Sequence, residues 1–483
     1  MAITVTNTNA INLLNIVNQT TARQQNILTQ LSTGSRINRG RDDPAGIIAL
    51  GSLNSELNRV DTAITNNQRT NALLGVADGA INEISSLLSE VETLVAASTS
   101  AGNLTDSEVA ANQAQIDAAI ESIDRIVRTT NFNGNRLLDG SFGIDTTGLD
   151  KTKIDSLKVF SRGSKASATD VTVIRTTSAQ TASAVLAQGI STTGTTLSAA
   201  TTIQITGTLG STQLSLASGL TGAQVITAIN AVKDVTGVSA IGTTTSSIQL
   251  NTTGYGSDEF VSVDVLSGGG FSIAGTGDDI TATSKTTGVD AVVSINGQAV
   301  TADGLDLSFN QNGLSLSFSL TTAFGSGTTA STTEAFTVQT TGGGKFQLGT
   351  DASTVSVIGI DALSSFNLGG GNSGGFLADL TSGGTADLRT NTEAALRVIR
   401  KSIQDVSQAQ GRIGSFQKFQ VQTSINSLNA SKTGLSDVKS VIGDTDFATA
   451  TAELNRQTVL LNTGISLLGV ANQQTSQILS LLG

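Results

Sequence analysis

The chain has 483 residues, a net charge of −11 and a charged fraction of 13%, about half the usual ~25%. It holds 0 His and 0 Cys, which excludes Ser-His-Asp and Cys-His centres, imidazole or thiolate metal sites and any disulfide framework. An acidic balance with scattered Lys and Arg argues against a nucleic-acid footprint, which needs a basic patch.

There is 1 Pro where average usage would give about 24, so little in the chain interrupts a helix. At the N-terminus, Leu14, Val17, Thr21, Gln24, Leu28 and Leu31 follow the three-four spacing of one helical seam. Asn9, Asn12, Asn15 and Asn18 break up its apolar residues, so the start reads as lacking a signal-peptide core. After a loop at 33–45 the spacing resumes at Leu50, Leu53, Leu57, Val60 and Ile64, then at Ala77, Ile81, Ile84, Leu88, Val91 and Val95. Three-four alternation held this long predicts coiled-coil packing, in a helix roughly 70 Å long at 1.5 Å per residue. Thr105 and Glu108 have capping-box spacing ahead of a third helix carrying Ile116, Ile120, Ile123 and Val127.

Between about 130 and 388 the composition turns to Thr, Ser and Gly. Leu305, Leu307 and Phe309, then Leu314, Leu316, Phe318 and Leu320, alternate with polar residues on either side of Asn312-Gly313, a hairpin signal. Asn296-Gly297 marks a similar turn. Further strands are expected at 202–206, 247–250, 260–265 and 335–339, with a short helix near 222–233, in one or two subdomains.

Helical spacing returns at the far end. Thr390 and Glu393 have capping-box spacing before Leu396, Ile399, Ile403, Val406 and Ile413, and Val421, Ile425, Leu428 and Leu435 continue in a shifted frame. Phe447, Ala450, Leu454, Leu461, Leu468, Ala471, Ile478 and Leu482 share one heptad frame, with Gln457, Gly464 and Thr475 as its weak places. The fold class is α+β: N- and C-terminal helices form a coiled-coil bundle around a β-rich central insertion.

The extremities carry the functional signal. Residues 1–41 contain no acid and residues 457–483 no charge, yet the latter hold eleven large aliphatic side chains. Projected on a helix these spread over roughly 240°, far more than one neighbouring helix covers. The tract Val459–Ala471 is too short, and too interrupted by Asn462 and Thr463, to span a membrane. Both ends are therefore expected to be disordered in a lone chain and to become helical when many copies pack together.

Several segments are recognisable. LSTGSRINRGRDDPAG (31–46), LLGVADGAINEISSLLSEVETL (74–95), NFNGNRLLDG (131–140), VIGDTDFATATAEL (441–454) and GVANQQTSQILSLLG (469–483) resemble the conserved ends of bacterial flagellin, and 202–265 resembles a repeat inserted in flagellins and hook-associated proteins. The resemblance implies a motility filament subunit, exported unfolded through the flagellar type III apparatus; a hook–filament junction protein is the alternative. It implies three layers: 1–45 with 455–483 innermost, 46–180 with 386–454 next, and 181–385 outermost. It implies a homopolymer, cap and hook-associated partners, a chaperone on the C-terminal helix, and neither cofactor nor enzymatic activity. A glycosidase among Asp258, Glu259, Asp264, Asp278 and Asp279 is the enzymatic rival.

By the same resemblance, the subunit contacts are Leu14, Val17, Leu28, Leu31, Leu454, Leu461, Leu468, Ile478 and Leu482, with Arg36, Asn38, Asp42 and Asp43 setting register between neighbours. Pro44 and Ser35 depart from the family's loop, where many members have Ala and Leu. Leu88, Glu90, Glu92 and Leu94 align with the patch seen by the vertebrate innate flagellin receptor. Glu90 and Glu92 stand where Arg is common, a charge reversal that implies weak receptor activation.

Overall fold

The computed structural model describes residues 8–99, 105–162, 167–187, 196–197, 199–242, 247–268, 272–275, 284–327, 333–370 and 375–482. Its helices are α1 (Thr8–Thr33), α2 (Pro44–Thr99), α3 (Asp106–Thr129), α4 (Gly222–Asn230), α5 (Lys233–Thr236), α6 (Thr322–Gly325), α7 (Thr392–Ser415), α8 (Gln422–Gly443) and α9 (Phe447–Leu482). The chain divides into two compact units, residues 1–67 with 423–483 and residues 68–422.

In the first unit, α1 and α9 lie against one another. Val60, Ala63 and Ile64 of α2 form a small core with Leu428 and Leu435 of α8, and Lys432 pairs with Asp61 at 2.8 Å.

The second unit has a helical part and a β part. Leu74, Ile81, Ile84, Leu88 and Val91 of α2, Ile116 and Ile123 of α3, and Val398, Ile399 and Val406 of α7 are sealed from solvent. The three-four spacing turns these positions to one side of each helix, as predicted. The capping box at α3 is present: Thr105 Oγ1 accepts from Glu108 N at 3.3 Å and Glu108 Oε2 from Thr105 N at 2.7 Å. At α7 the expected Thr390–Glu393 box is corrected. The cap is Asn391, whose side chain accepts from Ala394 N at 3.1 Å, one residue later than expected; the Glu393 side chain lies outside the described residues.

A strap formed by residues 363–370 and 375–388 lies along α3. Ser365 donates its N–H and hydroxyl to the two carboxylate oxygens of Asp124 (2.9 and 2.8 Å), and Ser382 does the same to Asp117 (2.9 and 2.5 Å). Gln113 donates to Leu380 O and accepts from Leu388 N. Positions 113, 117 and 124 share one face of α3, so a polar stripe holds the strap beside an apolar core.

The β part is two modules. One pairs strands from before and after the middle of the chain: a five-stranded antiparallel sheet in the order Gln298–Thr301, Val292–Ile295, Thr169–Thr177, Thr333–Gly342, Ile144–Thr147, and a three-stranded sheet of Asp306–Gln311, Leu314–Leu320 and Ile154–Ser161. Their inward faces meet through Val171, Val173, Val293, Ile295, Leu307, Leu316, Phe318 and Phe336. The other, between residues 183 and 287, has two four-stranded sheets with α4 supplying Val225 and Ile229 to its core. Every strand expected from sequence is found. Asn296-Gly297 and Asn312-Gly313 make the tight turns, with φ of 51° and 86°, and 53° and 79°. Positive φ at both central residues selects Asn-Gly there.

The shift of apolar frame between α7 and α8 has a local cause. Residues Phe416–Val421 form a π-helical turn, which spends an extra residue per turn and moves the seam from the frame of Ile413 to that of Val421.

Candidate assembly surface

α1 and α9 run antiparallel. Gln24 Nε2 donates to Thr458 Oγ1 at 3.1 Å, Val17 meets Gly464, and Phe447 lies beside Gly34, so rising numbers in one helix meet falling numbers in the other. The α9 face toward α1 is Ala450, Leu454, Gln457, Leu461, Gly464, Leu468 and Ala471, the predicted heptad frame. Phe447, in the same frame, is exposed. Two of the frame's weak places, Gln457 and Gly464, are buried in the pair, and the side chain of Thr475 lies outside the described residues. Gln457 is 1% exposed and donates to Glu453 Oε1 at 2.6 Å, and a Cβ on Gly464 would stand 3.0 Å from Val17 Cγ2.

On α1 the packed face is Leu13, Val17, Thr20, Gln24, Ile27 and Leu31. Leu14 and Leu28, expected on the same seam, are 46% and 48% exposed. They flank the seam because Thr20 and Ile27, outside the expected set, share its centre with Val17 and Gln24, which belong to that set. Ile11, Leu14, Ile16, Leu28, Val459, Leu460, Ile465, Leu467 and Val470 thus form apolar surface on the outside of the pair. The side chains of Ile478 and Leu482 lie outside the described residues.

The loop between α1 and α2 is tied to the end of α8. Arg36 donates its backbone N–H to Gly443 O (2.7 Å) and its guanidinium to Ile442 O (2.6 Å), and Thr445 N returns a bond to Gly34 O. Asn38 Nδ2 reaches Ser35 O at 2.7 Å, and Asp42 accepts from Asn38 N and Arg39 N. Asp43 caps α2 by accepting from Gly46 N at 2.8 Å, and Pro44 fills the first helical position, where no N–H is needed. Ser35 is equally engaged, its hydroxyl within donating reach of Ile37 O at 3.0 Å and Gly443 O at 3.2 Å. All four predicted loop residues therefore have partners within the chain.

Residues 5–143 match the bacterial flagellin N-terminal helical region, residues 396–482 the bacterial flagellin C-terminal helical region, and residues 202–254 the flagellin hook IN motif. Together these matches cover more than half of the chain. The chain belongs to the bacterial flagellin family.

Flagellin B of Vibrio cholerae is 35% identical over 144 residues, 30% of this chain and 38% of that protein; flagellin of Bacillus subtilis is 34% identical over 141 residues, 28% of this chain and 45% of that one. The chain thus matches less than half the length of these flagellins. Among solved structures, flagellar hook associated protein-3 from Legionella pneumophila is 11% identical with a TM-score of 0.27, covering 84% of this chain and 99% of that one. The D2-D3 domains of the flagellar cap protein FliD from Escherichia coli are 16% identical with a TM-score of 0.28, covering 42% and 98%. The flagellin N-terminal match takes in α1, the loop, α2, α3 and the first hairpin; the C-terminal match takes in α8, α9 and nearly all of α7.

Of the four receptor-like positions, Leu88 is sealed in the core, Leu94 is half-buried, Glu92 lies 3.5 Å from Arg400, and Glu90 is exposed. Leu88 belongs to the inward set with Ile84, Val91 and Val95, so the acidic character of this flagellin's patch rests on Glu90 and Glu92.

Sequence reading missed the charges around α9's first turns. Asp446 accepts from Ala448 N, Thr449 N and Thr449 Oγ1, and these bonds, the hydroxyl's first, hold its carboxyl below the usual range. Glu453 is likewise lowered, first by Arg456 and then by Gln457. A Thr-Asp pair directly before a helical apolar frame was the available cap signal.

Of the acids named for the enzymatic rival, Asp258 is exposed, Asp264 is half-buried on the strand Phe260–Ser267, Glu259 accepts from Thr208 and is pushed up by burial, and Asp278 and Asp279 lie outside the described residues. Among the described residues no helix is long and apolar enough to cross a membrane.

Proposed function

We propose that the chain is the structural subunit of a bacterial flagellar filament: it polymerises with copies of itself outside the cell, serves swimming motility, and is not an enzyme. One observation carries this reading. The α1–α9 pair uses one face of each helix to hold itself together and leaves a second aliphatic face in water. Apolar surface of that extent on a rod is stable when copies cover it, and contacts between different patches of identical subunits build an open helical array.

Within this reading Leu14, Leu28 and the outward side chains of α9 meet neighbouring copies. Val17, Leu31, Leu454, Leu461 and Leu468 act by holding the rod that presents them. Arg36, Asn38, Asp42 and Asp43 act by fixing the loop, through the bonds they make to α8 and to α2. The terminal pair forms the inner layer and the β modules face outward. Family membership supports export in an unfolded state, a chaperone on the C-terminal helix before export, and cap and hook-associated proteins at the growing end. It supports weak activation of the vertebrate receptor as well, since Glu90 and Glu92 reverse the usual charge.

The purified chain, seeded with sheared fragments and examined by electron microscopy, is expected to form long tubes of uniform diameter, and the same chain to dominate sheared surface protein. A chain that stays monomeric with seeds and is scarce in sheared material refutes the reading and favours a junction protein.

A further inference from the structure

The second unit holds a buried carboxylate that neither the fold nor assembly explains. Asp361 lies in the segment 359–363, just after the strand Val355–Ile358, and its Oδ2 is sealed from solvent with no hydrogen-bond partner. Beside it is a cavity of about 20 Å³ lined by Lys158, Phe160, Asp405, Gln408 and Arg412, room for one water. The segment is stitched down on one side by Gly359 N to Phe160 O, Ile360 N to Phe142 O and Leu363 N to Leu138 O, and α7 closes the other.

The charges facing Asp361 are otherwise engaged. Lys158, from the strand Ile154–Ser161, pairs with Asp405 of α7 at 2.8 Å. Arg412 of α7 stacks over the Phe160 ring at 3.2 Å and donates to Ser315 Oγ at 3.0 Å. The turn 140–143, the third element against it, brings no titratable side chain. An ionised Asp361 would therefore be a buried charge with two cations nearby and neither bound to it, an arrangement that costs stability.

We propose that Asp361 is a proton-operated latch, which when neutral fastens the segment 359–363 between α7 and the strand Ile154–Ser161 and when ionised loosens it. The neutral acid donates its proton to the cavity water, and that satisfies the sealed oxygen. Burial pushes its pKa up to about 6, against the pull of Lys158 and Arg412 and with the push of Asp405. A carboxyl whose folded pKa is raised stabilises fully below its unfolded value, and the stabilisation is lost as pH rises through about 6. The seam is thus stronger in mild acid than at neutral pH, the opposite of what the capping acids Asp446 and Glu108 do.

Hydrogen exchange on the full-length monomer tests this, with rates corrected for the intrinsic pH dependence. Between pH 7.5 and pH 5, protection of the amides of Gly359, Ile360 and Leu363 is expected to rise on the order of tenfold, the change in linkage for that shift. Asp361→Asn is expected to show the high protection at both pH values. A variant that keeps the full pH dependence overturns the proposal. The carboxyl carbon of Asp361 in the unaltered chain, followed by NMR, decides independently of how the variant folds: a midpoint near 6 supports the latch, and one below 4.5 overturns it.

Discussion

Replacing both Ile465 and Leu467 with lysine is expected to abolish polymerisation and to leave the monomer's helix content unchanged. The two side chains are 54% and 50% exposed and point away from α1, so in a lone chain the change is a surface substitution worth less than about 0.5 kcal/mol. In an array that covers them, each forgoes burial of its exposed half, roughly 0.7–1.5 kcal/mol, and each new ammonium must be desolvated. The burial term alone, about 1.5–3 kcal/mol per subunit, raises the concentration needed for assembly by one to two powers of ten. Seeded assembly followed by sedimentation, with circular dichroism on the supernatant, reads both halves. Tubes at the unaltered concentration would show that this face of α9 is not an assembly surface.

Gly464→Leu strikes the other face. A Cβ at Gly464 already stands 3.0 Å from Val17 Cγ2, and three further carbons have no space between the helices unless they separate. Overpacking of this kind costs typically ~1–3 kcal/mol. Here it also shifts the neighbouring Gln24–Thr458 bond, which fixes the helices' register. The expected result is a chain whose α1 and α9 exchange faster in the assembled tube and whose tubes form slowly and shear easily. Gly464→Ala, with one carbon to accommodate, is expected to fall between. Equal exchange in all three chains would mean that the Val17–Gly464 approach does not hold the pair.

These two substitutions lie on adjoining faces of one helix, one turned to α1 and one beside it, which explains what could be read from sequence and what could not. The α9 frame from Ala450 to Ala471 was legible because it repeats every seven residues through weak and strong positions alike. The α1 seam was legible in part: spacing placed Val17, Gln24 and Leu31 on it, but apolar residues on that helix serve two surfaces. Hydrophobicity alone cannot tell Leu14, turned outward, from Leu13, turned toward α9, and Thr20 at the centre of contact carries no apolar signal. Turns were legible wherever backbone conformation demands a residue type, as at Asn296-Gly297 and Asn312-Gly313.

Long-range features were hidden for another reason. The strand Thr169–Thr177 pairs with residues more than a hundred positions later, and its inward alternation of Val171 and Val173 ends on Arg175, a buried cation that breaks the pattern. The carboxylate of Asp361 carries no sequence signal and is enclosed because α7 folds over its segment, while Asp405, on α7, is enclosed by turning toward Lys158 of the strand Ile154–Ser161. The π-helical turn at Phe416–Val421 showed itself as a change of frame, but its cause was visible only in the backbone.

The central claim is that the outer face of the α1–α9 pair is completed by other copies of the chain. Hydrogen exchange compared between dilute monomer and assembled filament, read over residues 447–474, tests it most directly. The account predicts amides that exchange readily in the monomer and gain protection of a thousandfold or more on assembly, roughly 4 kcal/mol of local stability. Protection already as strong in the dilute monomer would contradict it.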